Sequence, residues 1–244
     1  MQNQKFGNNL INFLSGTMVL EEVKSSINGK ITVVKSLAFG TYIQVGGLTQ
    51  SGGIMHQVWR KPLKQISNFQ FPISNVLILG LAGGTVAKLV KKNWPDAKIT
   101  GVDIDPVMVK LGRKHLGLNK NDVSVRIADA YEYLIKNSQP KAGRPLDEKF
   151  PAKGWSSFGR KSQKFDLVLI DLYVGDEFPK KFESEGFIKL TRMILVNQGI
   201  AIFNRLYYGG KRTKAVRFED KLEKIFKNVE IVFPEANVMF ICRK

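Results

Sequence analysis

Residues 75–106, NVLILGLAGGTVAKLVKKNWPDAKITGVDIDP, constrain the fold of this chain more than any other stretch. The run Val76, Leu77, Ile78, Leu79 is continuously apolar, which suits a strand covered on both faces in the middle of a parallel sheet. Gly80, Gly83 and Gly84 follow, and glycine admits positive φ and lets a ligand come close to the backbone. Helical spacing begins near Thr85, so the unpaired N–H groups of a helix start face the same turn. A second apolar run then closes on Asp103, nineteen residues after Gly84. Strand, turn, helix and strand over about thirty residues make one βαβ unit. An acid at the end of its second strand can accept hydrogen bonds from vicinal ribose hydroxyls. The stretch therefore predicts a nucleoside-type cofactor site; the competing reading is a glycine turn that serves only close packing of helix on strand. Ala82 stands where the dinucleotide fingerprint G-x-G-x-x-G has its middle glycine, so the stretch alone does not assign a pyrophosphate.

Upstream, residues 18–48 read as β-structure. Asn28-Gly29 between MVLEEVKS and KITVVKSL is a strong hairpin signal, and TYIQVGG follows Phe39-Gly40. A small antiparallel sheet of two or three strands is expected beside the parallel one. In LTQSGGIMHQVWRKPLKQI, Ile54, Val58 and Leu63 line one side of a helix that Pro62 interrupts or bends. Downstream, Asp105-Pro106 starts a helix to about His115, with Asp105 as its cap and His115 near its terminal carbonyls. Residues 123–127 read as a strand, and Asp129 follows it on the sheet edge where ligands bind, ahead of a helix that packs Tyr131 and Leu134.

Residues 137–164 break this rhythm with three prolines, three glycines and no apolar period. They read as a basic loop insertion, either unstructured or folded over a ligand by Trp155 and Phe158. The apolar strand FDLVLID then ends in Asp171. A helix to about Leu195, the strand GIAIFNRL, a helix over 213–226 and a hairpin of VEIVF with NVMFICR complete the chain. The pattern predicts an α/β fold, a doubly wound, mostly parallel seven-stranded sheet with an antiparallel C-terminal strand. Residues 1–70 form a small N-terminal β-rich region with a linking helix, and residues 71–244 form the nucleotide-binding domain.

The 244 residues carry a net charge of +17. Its excess is spread along the chain and is dense only over 138–165, with seven basic residues against two acidic. A diffuse excess describes a solvated surface more readily than a binding face. Contact with nucleic acid stays as an alternative, in which the N-terminal segment and the insertion supply salt-sensitive phosphate contacts. No apolar run reaches eighteen residues, and the N-terminus lacks a basic region followed by an apolar one, so the expectation is a soluble, unexported, cytoplasmic chain without membrane contact. The single Cys242 excludes an intrachain disulfide and a cysteine metal cluster, and reads as a buried, inert thiol.

With Asp103, Asp129 and Asp171 ending strands in order, the chain resembles the class I S-adenosylmethionine-dependent transferases, which have a Rossmann-like sheet. More narrowly, it resembles the spermidine synthase family. The motifs are Gln50-Ser51 before the nucleotide domain, LGLAGGT, VDIDP, ADAYEYL, FDLVLID and LVNQGIAIFN. The resemblance implies that Gly80, Ala82 and Gly84 shape the loop beside the cofactor's amino-acid portion and that Asp103 binds its ribose. It further implies that Asp129 binds the adenine amino group with Ala130 beside it, that Gln50 approaches from the N-terminal region, and that Asp171 faces the transferred group. The cofactor would be S-adenosylmethionine or its decarboxylated form, with no metal; neither has a pyrophosphate, so Ala82 agrees with both. Family members often dimerise through the N-terminal β-region, which makes a second copy an expected partner.

Departures from the family bear on the group transferred. Aminopropyltransferases usually carry an aspartate where Gly83 stands, an acidic, tyrosine-containing stretch where this chain has GGIMHQVWRKP, and an aspartate where Val174 stands. A polycationic acceptor needs carboxylates, whereas the sequence offers Arg60, Lys61 and Lys64 at the expected rim, with Asp176 and Glu177 as partial compensation. The first expectation is therefore methyl transfer to a small-molecule acceptor. Asp171 orients or deprotonates that acceptor, with Tyr173, Asp176 and His56 as further candidates. The alternatives are polyamine aminopropyl transfer from the decarboxylated cofactor, and a non-catalytic nucleoside-binding module.

Overall fold

The structure, a computed structural model, describes residues 16–69, 71–138 and 163–244. Trp155, Phe158 and most of the 137–164 insertion lie outside the described residues. The first four strands, β1 (Thr17–Ser25), β2 (Gly29–Ser36), β3 (Gly40–Val45) and β4 (Leu48–Gly52), form one antiparallel sheet in chain order. This is one strand more than the sequence indicates. Gly46 and Gly47, at φ of 56° and 82°, make a two-residue turn that folds β4 back on β3. β4, LTQSG, carries one large apolar residue, so no alternation announces it.

Helix α1 (Met55–Ser67) comes next, continuous through Pro62. The remaining elements are β5 (Asn75–Leu79), α2 (Thr85–Asn93), β6 (Lys98–Asp103), α3 (Pro106–His115), β7 (Val123–Ile127), α4 (Ala130–Ser138), β8 (Phe165–Ile170), α5 (Glu185–Ile194), β9 (Leu195–Leu206), α6 (Lys211–Glu223), β10 (Asn228–Val232) and β11 (Asn237–Arg243). Their strands form a seven-stranded sheet in the order β10-β11-β9-β8-β5-β6-β7. β11 runs antiparallel to both β9 and β10, while the β9-β8-β5-β6-β7 pairs are parallel. The doubly wound sheet with one reversed strand thus matches the expectation.

Side-chain alternation along the central strands sets the two core layers. Val76 and Ile78 of β5 face a layer with Trp59 and Leu63 of α1 and Val90 of α2. Leu77 and Leu79 face the opposite layer with Leu134 of α4, Phe187 of α5 and Phe218 of α6. Both sets are fully buried, which is why the run does not alternate with polar residues. α1, which the sequence assigns to the N-terminal region, packs into the core of the large sheet. The small sheet has its own cluster, in which Ile31, Val33, Ile43 and Val45 meet Met108 and Leu111 of α3. Cys242 is buried in the second layer, and burial pushes its thiol up, as an inert thiol requires.

One acid ties the two sheets together. Asp105 caps α3 by accepting from Val107 N at 2.9 Å, and its other oxygen accepts from Ser25 Oγ and from Asn28 Nδ2 at 2.7 Å. The Asn-Gly hairpin is thereby fastened to the start of α3. Asp105→Ala removes a cap worth about 1 kcal/mol and strands the buried Ser25 hydroxyl, a further cost of about 1–3 kcal/mol. A loss of roughly 3 kcal/mol is expected in urea unfolding. The exposed Asp122→Ala, as a control, is expected to change stability by less than about 0.5 kcal/mol.

Candidate functional site

In an open parallel sheet the carboxyl ends of the strands lie along one edge, and the loops leaving them form a crevice. Here a cavity of about 360 Å³ follows that edge, touching Ala128 and Asp129 after β7, Asp103 of β6, Gly80 and Ala82 after β5, Asp171 after β8 and Asn204 of β9. Gly47, Gln50, Met55 and Val58 close it from the N-terminal side. Gln50 Nε2 donates to Gly175 O at 3.0 Å, which joins β4 across the cavity to the loop after β8. Of the residues in the wall, Asp103, Asp129, Asp171 and Glu235 are acidic and Lys181 is basic.

The glycine turn positions Asp103. Gly80 takes φ +87°, and Ala82 takes φ 47°, a left-handed value that a non-glycine residue rarely adopts. This bend directs Ala82 N to Asp103 Oδ2 at 2.7 Å, and Asp105 N reaches Oδ1 at 2.8 Å. Each carboxylate oxygen keeps a further lone pair for a ligand hydroxyl. Burial raises the Asp103 carboxyl to about 6; the nearby charges of Asp105 and Asp171 add to this, and the two N–H donors oppose it. A buried carboxylate with spare acceptor capacity on the cavity is what a ribose diol fits. Gly84 sits one step back, at φ 87° as the N-cap of α2, where a Cβ would meet Leu118. It shapes the loop from behind and does not line the cavity.

Asp129 caps α4 through Tyr131 N and Glu132 N and pairs with Lys181. Burial works to raise its carboxyl, but Lys181 and these N–H groups outweigh it, leaving a lowered pKa. Ala130 lies beside it in the wall. Asp171 is held at both oxygens: Trp59 Nε1 donates to Oδ2 at 2.9 Å and Asn204 Nδ2 to Oδ1 at 2.8 Å. Asn204 Oδ1 in turn accepts from Asn237 Nδ2 at 2.8 Å. Burial raises the Asp171 pKa against these two donors, so the group binds a proton more readily than a solvated aspartate.

The further acceptor-side candidates separate. Tyr173 lines the cavity, but its hydroxyl oxygen accepts from Leu206 N at 2.7 Å, and burial pushes its pKa well up. It positions the β9 end. Asp176 points outward to Lys211 at 3.0 Å and lies outside the wall. His56 lies on the exposed face of α1, in a separate groove. Arg60, Lys61 and Lys64 also lie outside the cavity wall, which corrects the basic rim expected from sequence: the apolar positions of α1 face the core and its cations face solvent. Sequence reasoning missed Trp59, Lys181, Asn204 and Asn237. Asn204, a polar residue near the end of an apolar strand, carried a signal; Trp59 carried none.

No protein-family model matches the chain. A polyamine aminopropyltransferase of Vibrio vulnificus is 25% identical over 130 residues, covering 53% of this chain and 36% of the relative. The eEF1A lysine and N-terminal methyltransferase of Homo sapiens is 24% identical over 136 residues, covering 53% of this chain and 17% of the relative. The chain thus spans well under half the length of either. The crystal structure of spermidine synthase from Thermotoga maritima superposes with a TM-score of 0.69 at 16% identity, covering 93% of this chain and 72% of that one. In sequence and in fold alike, the chain resembles the spermidine synthase-like family of class I S-adenosylmethionine-dependent transferases, the family its motifs indicate.

Proposed function

We propose that the cavity binds S-adenosylmethionine and that the chain transfers its methyl group to a small-molecule acceptor. When bound, the cofactor supplies a methyl group already activated by its sulfonium. Asp103 receives the ribose hydroxyls, and Asp129 with Ala130 frames the adenine. Gln50 closes the cavity from the N-terminal side. Asp171 orients the acceptor and takes a proton from it where the acceptor must lose one, a role its raised proton affinity suits.

The observation that carries methyl over aminopropyl transfer is the carboxylate supply at the β8–β9 end. Among the described residues, Asp171 is the one acid set into that end, and Glu235 is exposed at its rim. Val174 stands where the aminopropyl family carries its second aspartate. A side chain at position 83 would have to displace the ends of Leu116 and Ile43, whose Cδ1 atoms lie 2.6 Å and 2.9 Å from the place of a Cβ. A polyamine needs more than one counter-charge. Aminopropyl transfer remains the second reading, favoured by the four acids against one cation in the wall as a whole.

Calorimetry with S-adenosylmethionine and its decarboxylated form separates the two, since tight binding of the decarboxylated form alone would sink methyl transfer. With a labelled methyl donor and a panel of small amines and alcohols, Asp171→Asn is expected to slow transfer by about 10²–10⁴-fold at unchanged cofactor affinity.

A further inference from the structure

A second groove, separate from the cavity, lies between the small sheet and the first turns of α1 and α2. Its volume is about 380 Å³, and Phe39, Thr41, His56, Gln57 and Lys88 are in its wall. Neither helix contains an acidic residue. On α1, the exposed His56, Arg60 and Lys64 recur every fourth residue, so they form a row spaced by about 6 Å along the axis. Lys88 and Lys92 repeat the spacing on α2, and both are exposed. The rows are neighbours because α1 and α2 pack against each other; burial holds the His56 pKa below its ordinary value, and the charges of Lys92 and Arg60 add to it. Among the described residues, no ion pair or side-chain hydrogen bond engages these five side chains. Elsewhere Lys30, Lys114, Lys189 and Lys211 are held in ion pairs with acids.

At the groove stands Phe39, an aromatic ring that is 53% exposed. Unpaired cations in rows attract any polyanion. An exposed ring beside them adds a platform on which a base can stack, the pairing found where proteins hold single strands without reading their sequence. A lipid surface would call for apolar residues along the outer face of α1, which is polar. An acidic peptide would satisfy the cations and leave the ring without a partner.

We propose that this face binds single-stranded nucleic acid, with phosphates along the Arg60-Lys64 and Lys88-Lys92 rows and a base against Phe39. The test is fluorescence anisotropy of the full chain with a labelled oligouridylate between about 50 and about 200 mM salt. Binding that weakens linearly with log salt is expected, and the double variant Lys88→Ala, Lys92→Ala is expected to flatten the slope by about 1.4. Phe39→Ala should weaken binding about 5- to 150-fold and leave the slope unchanged. Circular dichroism establishes that both variants fold, as expected for exposed positions. No binding at the lowest salt, an unaltered slope in the double variant, or equal binding of polyglutamate or of phosphatidylglycerol vesicles overturns the proposal.

Discussion

Gly80→Ala is expected to destabilise the protein by on the order of 4 kcal/mol or more, a size reserved for a few mechanisms. Gly80 holds φ +87°, where an L side chain costs about 1–2 kcal/mol by itself. The larger part is steric. A Cβ there would lie 2.0 Å from the carbonyl oxygen of Asp171 and 2.7 Å from its carbon. Neither backbone can retreat, because Asp171 N donates to Leu79 O at 2.8 Å and Gly80 N donates to Val102 O at 2.9 Å. Any shift of Asp171 also withdraws its carboxylate from Trp59 and Asn204, so the stability loss comes with loss of the site. Gly40→Ala is the matched control: φ is +68° and nothing lies within 4 Å of the added carbon. It is expected to cost only the conformational part, about 1–2 kcal/mol. Urea unfolding of both measures the difference; equal losses would remove the steric account.

Asp103 is expected to make stability and ligand affinity respond to pH in opposite directions. Its folded pKa of about 6 lies above the unfolded value of 3.8, so between these the folded chain holds more of the proton. Stability is then highest below the unfolded pKa and falls as pH rises through about 6, by about 3 kcal/mol from this group. Hydroxyl donors need the carboxylate, so affinity for S-adenosylhomocysteine is expected to rise over the same window. Binding near pH 5–6 should release protons, which calorimetry in buffers of different ionisation enthalpy detects. Asp103→Ala removes both trends. It should also weaken the ligand by about 10²–10⁴-fold, since two hydrogen bonds to a charged group contribute roughly 1.5–3 kcal/mol each. Unchanged affinity in this variant would mean that the nucleoside lies elsewhere.

Much of this was legible in the chain. The unbroken apolar runs at 76–79 and in FDLVLID indicate strands covered on both faces, and both are buried on both faces. The helix start at Asp105-Pro106 was legible because a cap and a proline act within one turn. β4 was not legible, since a short strand with little apolar content forms only because a glycine pair folds it onto β3.

What the sequence by itself determined is the order of elements and the acids that end them, because glycine φ, capping and side-chain period are local properties. The tertiary structure alone decided what those acids meet. Trp59 reaches Asp171 across 112 positions of chain, and Asn204 across 33. No local rule links such positions; the packing of α1 onto the sheet does. The same packing turns Arg60, Lys61 and Lys64 away from the cavity, while Lys211 of α6 holds Asp176 outside it and Leu118 stands against Gly84 behind the loop. A helix has one buried side, and which residues of α1 reach the site was fixed only when that side met the large sheet.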